Sequence, residues 1–218
     1  MTTTVFFVRH GSHDRLDHIL CGRMEGVKLS DTGRREAARV AERLARERVD
    51  ALYVSPLLRA RQSAEPIAEA LGLPPLLAED LNETDMGEWT GARFDDLRRR
   101  PEWRRWSSAR GRRGPPGGES MLEIQLRVAR WLNAVMVLHP TAGVVAVCHA
   151  DVIKAGVCYA LGLPLEHHGR MEIGPASISV VAAGTGGLKV RKLNETIPEA
   201  PTAGRSRRSS APDRPSST

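Results

Sequence analysis

Short apolar runs alternate with amphipathic stretches along most of the chain, which is the pattern of an α/β layered domain. Residues 5–8 read as a buried strand, followed by a polar loop as far as Ser30. A helix is predicted over 32–48, capped by Ser30 or Asp31, because Ala37, Val40, Ala41 and Leu44 recur at helical spacing. Residues 51–54 read as a second strand. The next helix runs through Ala60, Ala64, Ile67, Ala68 and Leu71, and Gly72 and Pro74 stop it. Leu76 and Leu77 predict a third short strand, and 79–91 a turn-rich loop.

In the second half, 94–106 is expected to be one strongly charged helix, and Gly114-Pro115-Pro116-Gly117-Gly118 makes 111–118 a loop. A longer helix is predicted over 120–138, then a buried strand over 144–148 that ends at His149. A helix over 151–161 follows, closed by Gly162 and Pro164. Residues 177–183 and 188–193 flank Gly184-Thr185-Gly186-Gly187 as a β-hairpin at a sheet edge. Beyond Ile197 the apolar period gives way to Pro, Ser, Arg and Thr, so 197–218 reads as a disordered tail. There is no internal repeat. The sum is a three-layer α/β/α sandwich with a mostly parallel central sheet. Residues 1–196 make one domain, and 92–118 a small, basic helical and loop cap inserted in it.

Composition changes this picture little. A chain of 218 residues with 41 % hydrophobic and 27 % charged positions is an ordinary globular domain, not a disordered chain. The net charge of +6 raises the question of an anionic partner, yet 28 of the 32 basic residues are arginine, a bias that a GC-rich coding sequence also produces. Only the placement of the arginines is informative. Cys21, Cys148 and Cys158 form no CxxC pair and follow no apparent leader, which suits a reducing cytoplasm and argues against a thiolate zinc site. No apolar stretch is long enough to span a bilayer.

Three apolar strands end in residues of a particular chemistry. The first delivers Arg9-His10-Gly11, the second Ser55-Pro56 and then Arg59, and the fourth His149. Ligands of open α/β sheets bind beyond the carboxyl ends of the strands, so two histidines and two arginines can converge there. Gly11 lets the backbone turn sharply beside a ligand. An imidazole is a nucleophile near neutral pH, and guanidinium groups match phosphate oxygens as planar, permanent donors. Phosphoryl transfer fits this set, with no metal or other cofactor needed. The two cations would also keep His10 neutral by like-charge repulsion.

Six segments in one order carry a family resemblance. Phe6-Phe7-Val8-Arg9-His10-Gly11 resembles the strand and RHG motif of the histidine phosphatase superfamily, which contains phosphoglycerate mutases and many phosphomonoesterases. Leu29-Ser30-Asp31-Thr32-Gly33 is similar to its L-[ST]-x-x-G segment, and Ser55-Pro56-Leu57-Leu58-Arg59-Ala60 to its SPLxRA segment. Leu81-Asn82-Glu83 with Gly87-Glu88-Trp89-Thr90-Gly91, Gly117-Gly118-Glu119-Ser120, and Val147-Cys148-His149 resemble its L-x-E…GxWxG, GGES and second-histidine segments.

The resemblance implies that His10 becomes a phosphohistidine, that Arg9, Arg59 and His149 bind the phosphoryl group, and that Glu83 is acid, then base. It also implies substrate contacts for Gly11, Ser12, Arg23 and Ala150. Ser12 and His13 stand where the family carries Glu or Gln and then Thr or Ser, so Ser12 is expected to substitute for that hydroxyl. Ala150 keeps a small residue where many members have Gly.

Other residues have blander readings. His13, His18, His139, His167 and His168 have no motif support, and no element fixes a metal geometry for His10, His13, Asp14, Asp17 and His18. Arg61 reads as a solvated side chain, Cys148 as packing, and Glu119 as a charge favoured by the helix dipole. Trp89, Trp103 and Trp106 suit partial core burial as well as a pocket wall.

The reading is therefore a metal-independent phosphomonoester hydrolase acting on a small-molecule phosphomonoester. The alternatives are a mutase and a non-catalytic anion-binding protein that keeps the fold. The mutase pattern E-R-H-Y-G is absent from Glu83-Thr84-Asp85-Met86-Gly87. Nucleic acid is disfavoured, since the tail sets Arg205, Arg207, Arg208 and Arg214 against Glu199 and Asp213 with no aromatic stacking residue. No membrane partner is expected, and a homodimer is left open. Between Arg93 and Arg113, nine arginines face three acids, an excess of +6 equal to that of the whole chain. This cap either steers an anionic substrate or is simply a solvated face.

Overall fold

Strands β1 (Thr2–Arg9), β2 (Ala51–Val54), β3 (Pro75–Leu77), β4 (Gly143–Cys148), β5 (Ile178–Gly184) and β6 (Gly187–Glu195) form one sheet in the order β3-β2-β4-β1-β5-β6. The computed structural model describes residues 2–111 and 113–199. Strands β1 to β4 run parallel, while β5 and β6 return antiparallel as the hairpin predicted at the sheet edge. Parallel neighbours need crossovers, and the helices supply them. Of the tail, all but residues 197–199 lies outside the described residues.

Alternate residues of the central strands feed two cores. Val5, Phe7, Val144 and Ala146 face helices α5 (Met121–Leu138) and α6 (Ala150–Leu161). Phe6, Val8, Val145 and Val147 face α1 (Asp31–Leu44) and α2 (Leu58–Leu71). Strand β4 is buried along its whole length, as an apolar run between two helical layers should be. The molecule is thus an α/β/α sandwich. Cys148 is buried in the first core, and burial pushes its thiol pKa up, so it is a packing residue.

Three elements differ from expectation. Helix α1 ends at Leu44 rather than 48, because the next position on its buried face is the exposed Arg48. Strand β1 starts at Thr2 rather than 5, since β5 pairs with its polar first residues. The charged segment over 94–106 is not one helix but two, α3 (Phe94–Arg99) and α4 (Pro101–Ser107). Pro101 forces Arg100 into an extended conformation (φ −81°, ψ 131°) and starts the second helix itself. These two helices bury Leu97 and Trp106 against Leu20, Met86 and Trp89 in a third, separate cluster. The rings of Trp103 and Trp106 meet at a tilt of 44° with centroids 4.8 Å apart and both pack on Trp89, so the tryptophans form a small core.

Candidate active site

Strands β1 and β4 end in register, with Arg9 opposite Cys148, so their next residues emerge side by side. The His10 amide donates to the Cys148 carbonyl at 3.0 Å, and the rings of His10 and His149 lie 5.1 Å apart. Strand β2 ends beside β4, where the Ser55 amide donates to the Val147 carbonyl at 2.9 Å. Arg59 follows in the first turn of α2, and Glu83 enters from the loop after β3. Parallel strand ends therefore bring Arg9, His10, Arg59, Glu83 and His149 together.

The His10 ring has a defined tautomer. Its Nδ1 lies 2.8 Å from the Gly11 carbonyl, which can only accept, so Nδ1 carries the proton and Nε2 a lone pair. Arg59 Nε donates to that Nε2 at 3.3 Å, and Arg59 Nη2 is anchored on the Gly22 carbonyl at 2.7 Å. Burial holds the His10 pKa well below the usual imidazole range, and the Arg59 and Arg9 charges add to it. The like-charge repulsion expected from the sequence is present, but desolvation is the larger cause.

His149 is buried against Ser55, whose hydroxyl lies 2.8 Å from Nε2, while its Nδ1 is 3.5 Å from Glu83 Oε2. Burial pushes the His149 pKa down and that of Glu83 up, the latter helped by the nearby Asp151 charge. With the His149 ring neutral, this contact is not an ion pair. Arg9 Nη1 donates to the Ile173 carbonyl at 2.6 Å. Three buried nitrogens of residues that line the pocket, Arg9 Nε, Arg59 Nη1 and His13 Nδ1, have no hydrogen-bond partner among the described residues. Such groups are rare in folded proteins, and the two guanidinium nitrogens suit an anion with several acceptor oxygens.

The same trio of His10, Glu83 and His149 places one metal-type ligand atom each within 4.8 Å of the others. Arg9 and Arg59 flank it, and two guanidinium charges favour an anion there over a dication.

Not every residue named from the motifs is used as expected. Gly11 is required by packing: a Cβ would stand 2.5 Å from the Gly33 carbonyl oxygen of α1. Ser12 turns away, its amide and hydroxyl both donating to Glu36 at 2.8 and 3.0 Å, because α1 presents that carboxylate to the loop. Arg23 donates through Nε to the Glu83 carbonyl at 2.8 Å, which supports the loop that carries Glu83. Ala150 borders the pocket. Glu119 precedes the Ser120 cap of α5 and is no dipole charge: it accepts from Arg127 Nε at 2.8 Å and from Arg23 Nη2 at 3.1 Å.

Two contributors have no motif. Arg127, buried on α5, donates to the Asp80 carbonyl at 2.6 Å and to Glu119, clamping the segment that carries Glu83. Arg110, one of the cap arginines, lies over the Trp106 ring at 4.4 Å and pairs with Asp151, which borders the pocket. An arginine set between Ile124 and Trp131 at helical spacing is the one sequence signal that marks Arg127.

Comparison with known proteins places the chain in a family. The family profile of the histidine phosphatase superfamily (branch 1) matches residues 5–196. Phosphoserine phosphatase 1 of Hydrogenobacter thermophilus is 33 % identical over 180 residues, which cover 80 % of this chain and 85 % of that protein. The probable phosphoglycerate mutase GpmB of Cronobacter sakazakii is 32 % identical over 182 residues, covering 81 % and 83 %. Among solved structures, a mycobacterial glucosyl-3-phosphoglycerate phosphatase superposes with a TM-score of 0.82 over 90 % of this chain and 100 % of that one, and at 23 % identity it speaks to the fold alone. By sequence and by fold, the chain belongs to the histidine phosphatase superfamily.

Proposed function

We propose that the protein hydrolyses phosphomonoesters through a covalent phosphohistidine on His10. The observation that carries this is the neutral His10 ring, whose unprotonated Nε2 accepts from Arg59 in a pocket that Arg9 and Arg59 line. In the first step Nε2 attacks phosphorus, the P–O ester bond breaks, and the leaving oxygen takes the Glu83 proton. In the second, the Glu83 carboxylate takes a proton from water, whose oxygen attacks phosphorus and displaces His10. Arg9, Arg59 and His149 would bind the transferred oxygens, where charge builds in the transition state. Burial keeps Glu83 protonated to higher pH than a solvated carboxyl, which suits the acid role.

A pocket of about 180 Å³ bordered by Leu16, Leu20 and Phe94 as well as the charged groups suits a small ester with an apolar portion. Residues 92–118 would act as a cap, with Arg110 the arginine nearest the site through Asp151. The unpaired Cys21, Cys148 and Cys158 are consistent with a reducing cytoplasm. The test is a panel of phosphoserine, 3-phosphoglycerate and sugar phosphates with EDTA present. Phosphate release supports hydrolysis without metal. Isomerisation of 3-phosphoglycerate without release would point to a mutase, and no turnover at all to an anion-binding protein.

A further inference from the structure

Asn194 stands on the edge strand β6, outside the six segments of the family resemblance, and does not line the pocket. Its backbone is nevertheless unusual. Its φ is +56°, in the left-handed region, and β6 carries an extra residue there: Ile178 pairs with Glu195 and Val180 with Lys192, two steps on β5 against three on β6. A bulge of this kind re-aims a side chain. The Asn194 amide donates to Ser179 Oγ at 3.1 Å, and the side-chain Oδ1 turns to the loop before β5, where it accepts from the Gly174 amide at 2.7 Å.

That loop holds the arginine and the histidine that end β1. The Ile173 carbonyl accepts from Arg9 Nη1 at 2.6 Å, the Ser177 carbonyl accepts from the Arg9 amide at 3.1 Å, and the Ala176 amide donates to the His10 carbonyl at 3.2 Å. Ala176 has a φ of +50°, which a residue with a Cβ adopts only where its surroundings hold it. The Ser177 amide closes the turn on the Gly174 carbonyl at 3.2 Å, and the Gly174 amide is the group that Asn194 holds. We propose that Asn194 is a positioning residue for Arg9: its Oδ1 fixes the Gly174 turn, and the turn fixes the guanidinium through the Ile173 carbonyl. The assignment rests on the hydrolase reading above, in which Arg9 holds the phosphoryl group.

Inorganic phosphate is the probe, titrated into the full chain and followed by NMR, which reads millimolar affinities, alongside kcat/KM for a nitrophenyl ester. Asn194→Asp keeps an acceptor oxygen and the tolerance for a left-handed backbone, while Asn194→Gly keeps the backbone freedom alone. A displacement of about 1 Å in a group that positions substrate costs on the order of a hundredfold, so the Gly variant should bind phosphate and turn over about ten- to hundredfold less well, and the Asp variant within about twofold of wild type. In an Arg9→Ala background the same Gly substitution should weaken phosphate binding by less than about twofold, because the group it positions is gone. Wild-type phosphate affinity in Asn194→Gly would overturn the assignment, as would an Asp variant no better than Gly, or a Gly effect that persists in full without Arg9. If Asn194→Gly does not fold, Asn194→Ser, whose side chain is one bond shorter, takes its place in each comparison. Should the wild type bind phosphate yet cleave no ester, the hydrolase reading falls and the phosphate titrations still decide Asn194. A wild type that neither binds phosphate nor turns over overturns both.

Discussion

A buried imidazole between two guanidinium groups can stay neutral well into the acid range, and a buried carboxyl can stay protonated above its ordinary range. Both shifts are present here. Their signs set the pH profile. His10 must be unprotonated and its pKa lies below 6.5, so activity holds as pH falls from 7 through 6. Glu83 must be protonated for the first step, so phosphoenzyme formation declines as pH rises through its elevated pKa. Stopped-flow rates from alkyl and nitrophenyl phosphates separate these groups. Glu83→Gln is expected to slow formation from the alkyl ester by about 10²–10⁴-fold and to remove the alkaline decline, with a far smaller effect on the nitrophenyl ester. Equal effects on both esters would argue against the acid role. His10, Arg59 and His149 were legible in the sequence because each follows a strand or opens a helix. Arg127 was not, since its partners Asp80 and Glu119 lie outside its helix.

At the scale of elements, the strand and helix pattern was readable wherever burial follows a strict period. The departures lie where a local rule intervened: Pro101 breaks the charged helix, and the loss of apolar positions after Leu44 ends α1. Two elements also meet more closely than periodicity reveals. The turn after β1 and the start of α1 approach until Gly11 and Gly33 touch through their backbones. Gly11→Ala would drive a Cβ to 2.5 Å from a carbonyl oxygen that α1 holds in place. Urea unfolding should show a loss of about 1–3 kcal/mol for this variant, the range for overpacking a tight site. An unchanged midpoint would mean that the contact relaxes freely. The clamp of Arg127, Glu119 and Arg23 is another inter-element feature, joining α5 and the first loop to the segment that positions Glu83. Nothing in spacing along the chain exposes such a clamp.

For the whole molecule, the excess positive charge has a location and, among the described residues, a point of contact with the site. Most cap arginines, Arg104 and Arg105 among them, are exposed, whereas Arg110 reaches Asp151 at the pocket. Exposed charges act at long range and are screened by salt, with a Debye length of about 10 Å at 0.1 M. Replacing Arg104 and Arg105 together by glutamine should therefore raise KM at low ionic strength, and the difference from wild type should vanish as salt is added. A KM that is unchanged at low salt would leave the cap as a solvated face. All of this depends on one bond. Rapid quench of the full chain with a phosphomonoester, followed by mapping of acid-labile phosphate, should place the label on His10 and find neither label nor turnover in His10→Ala. Ester hydrolysis by His10→Ala at the wild-type rate, or a label on another residue, would contradict the account.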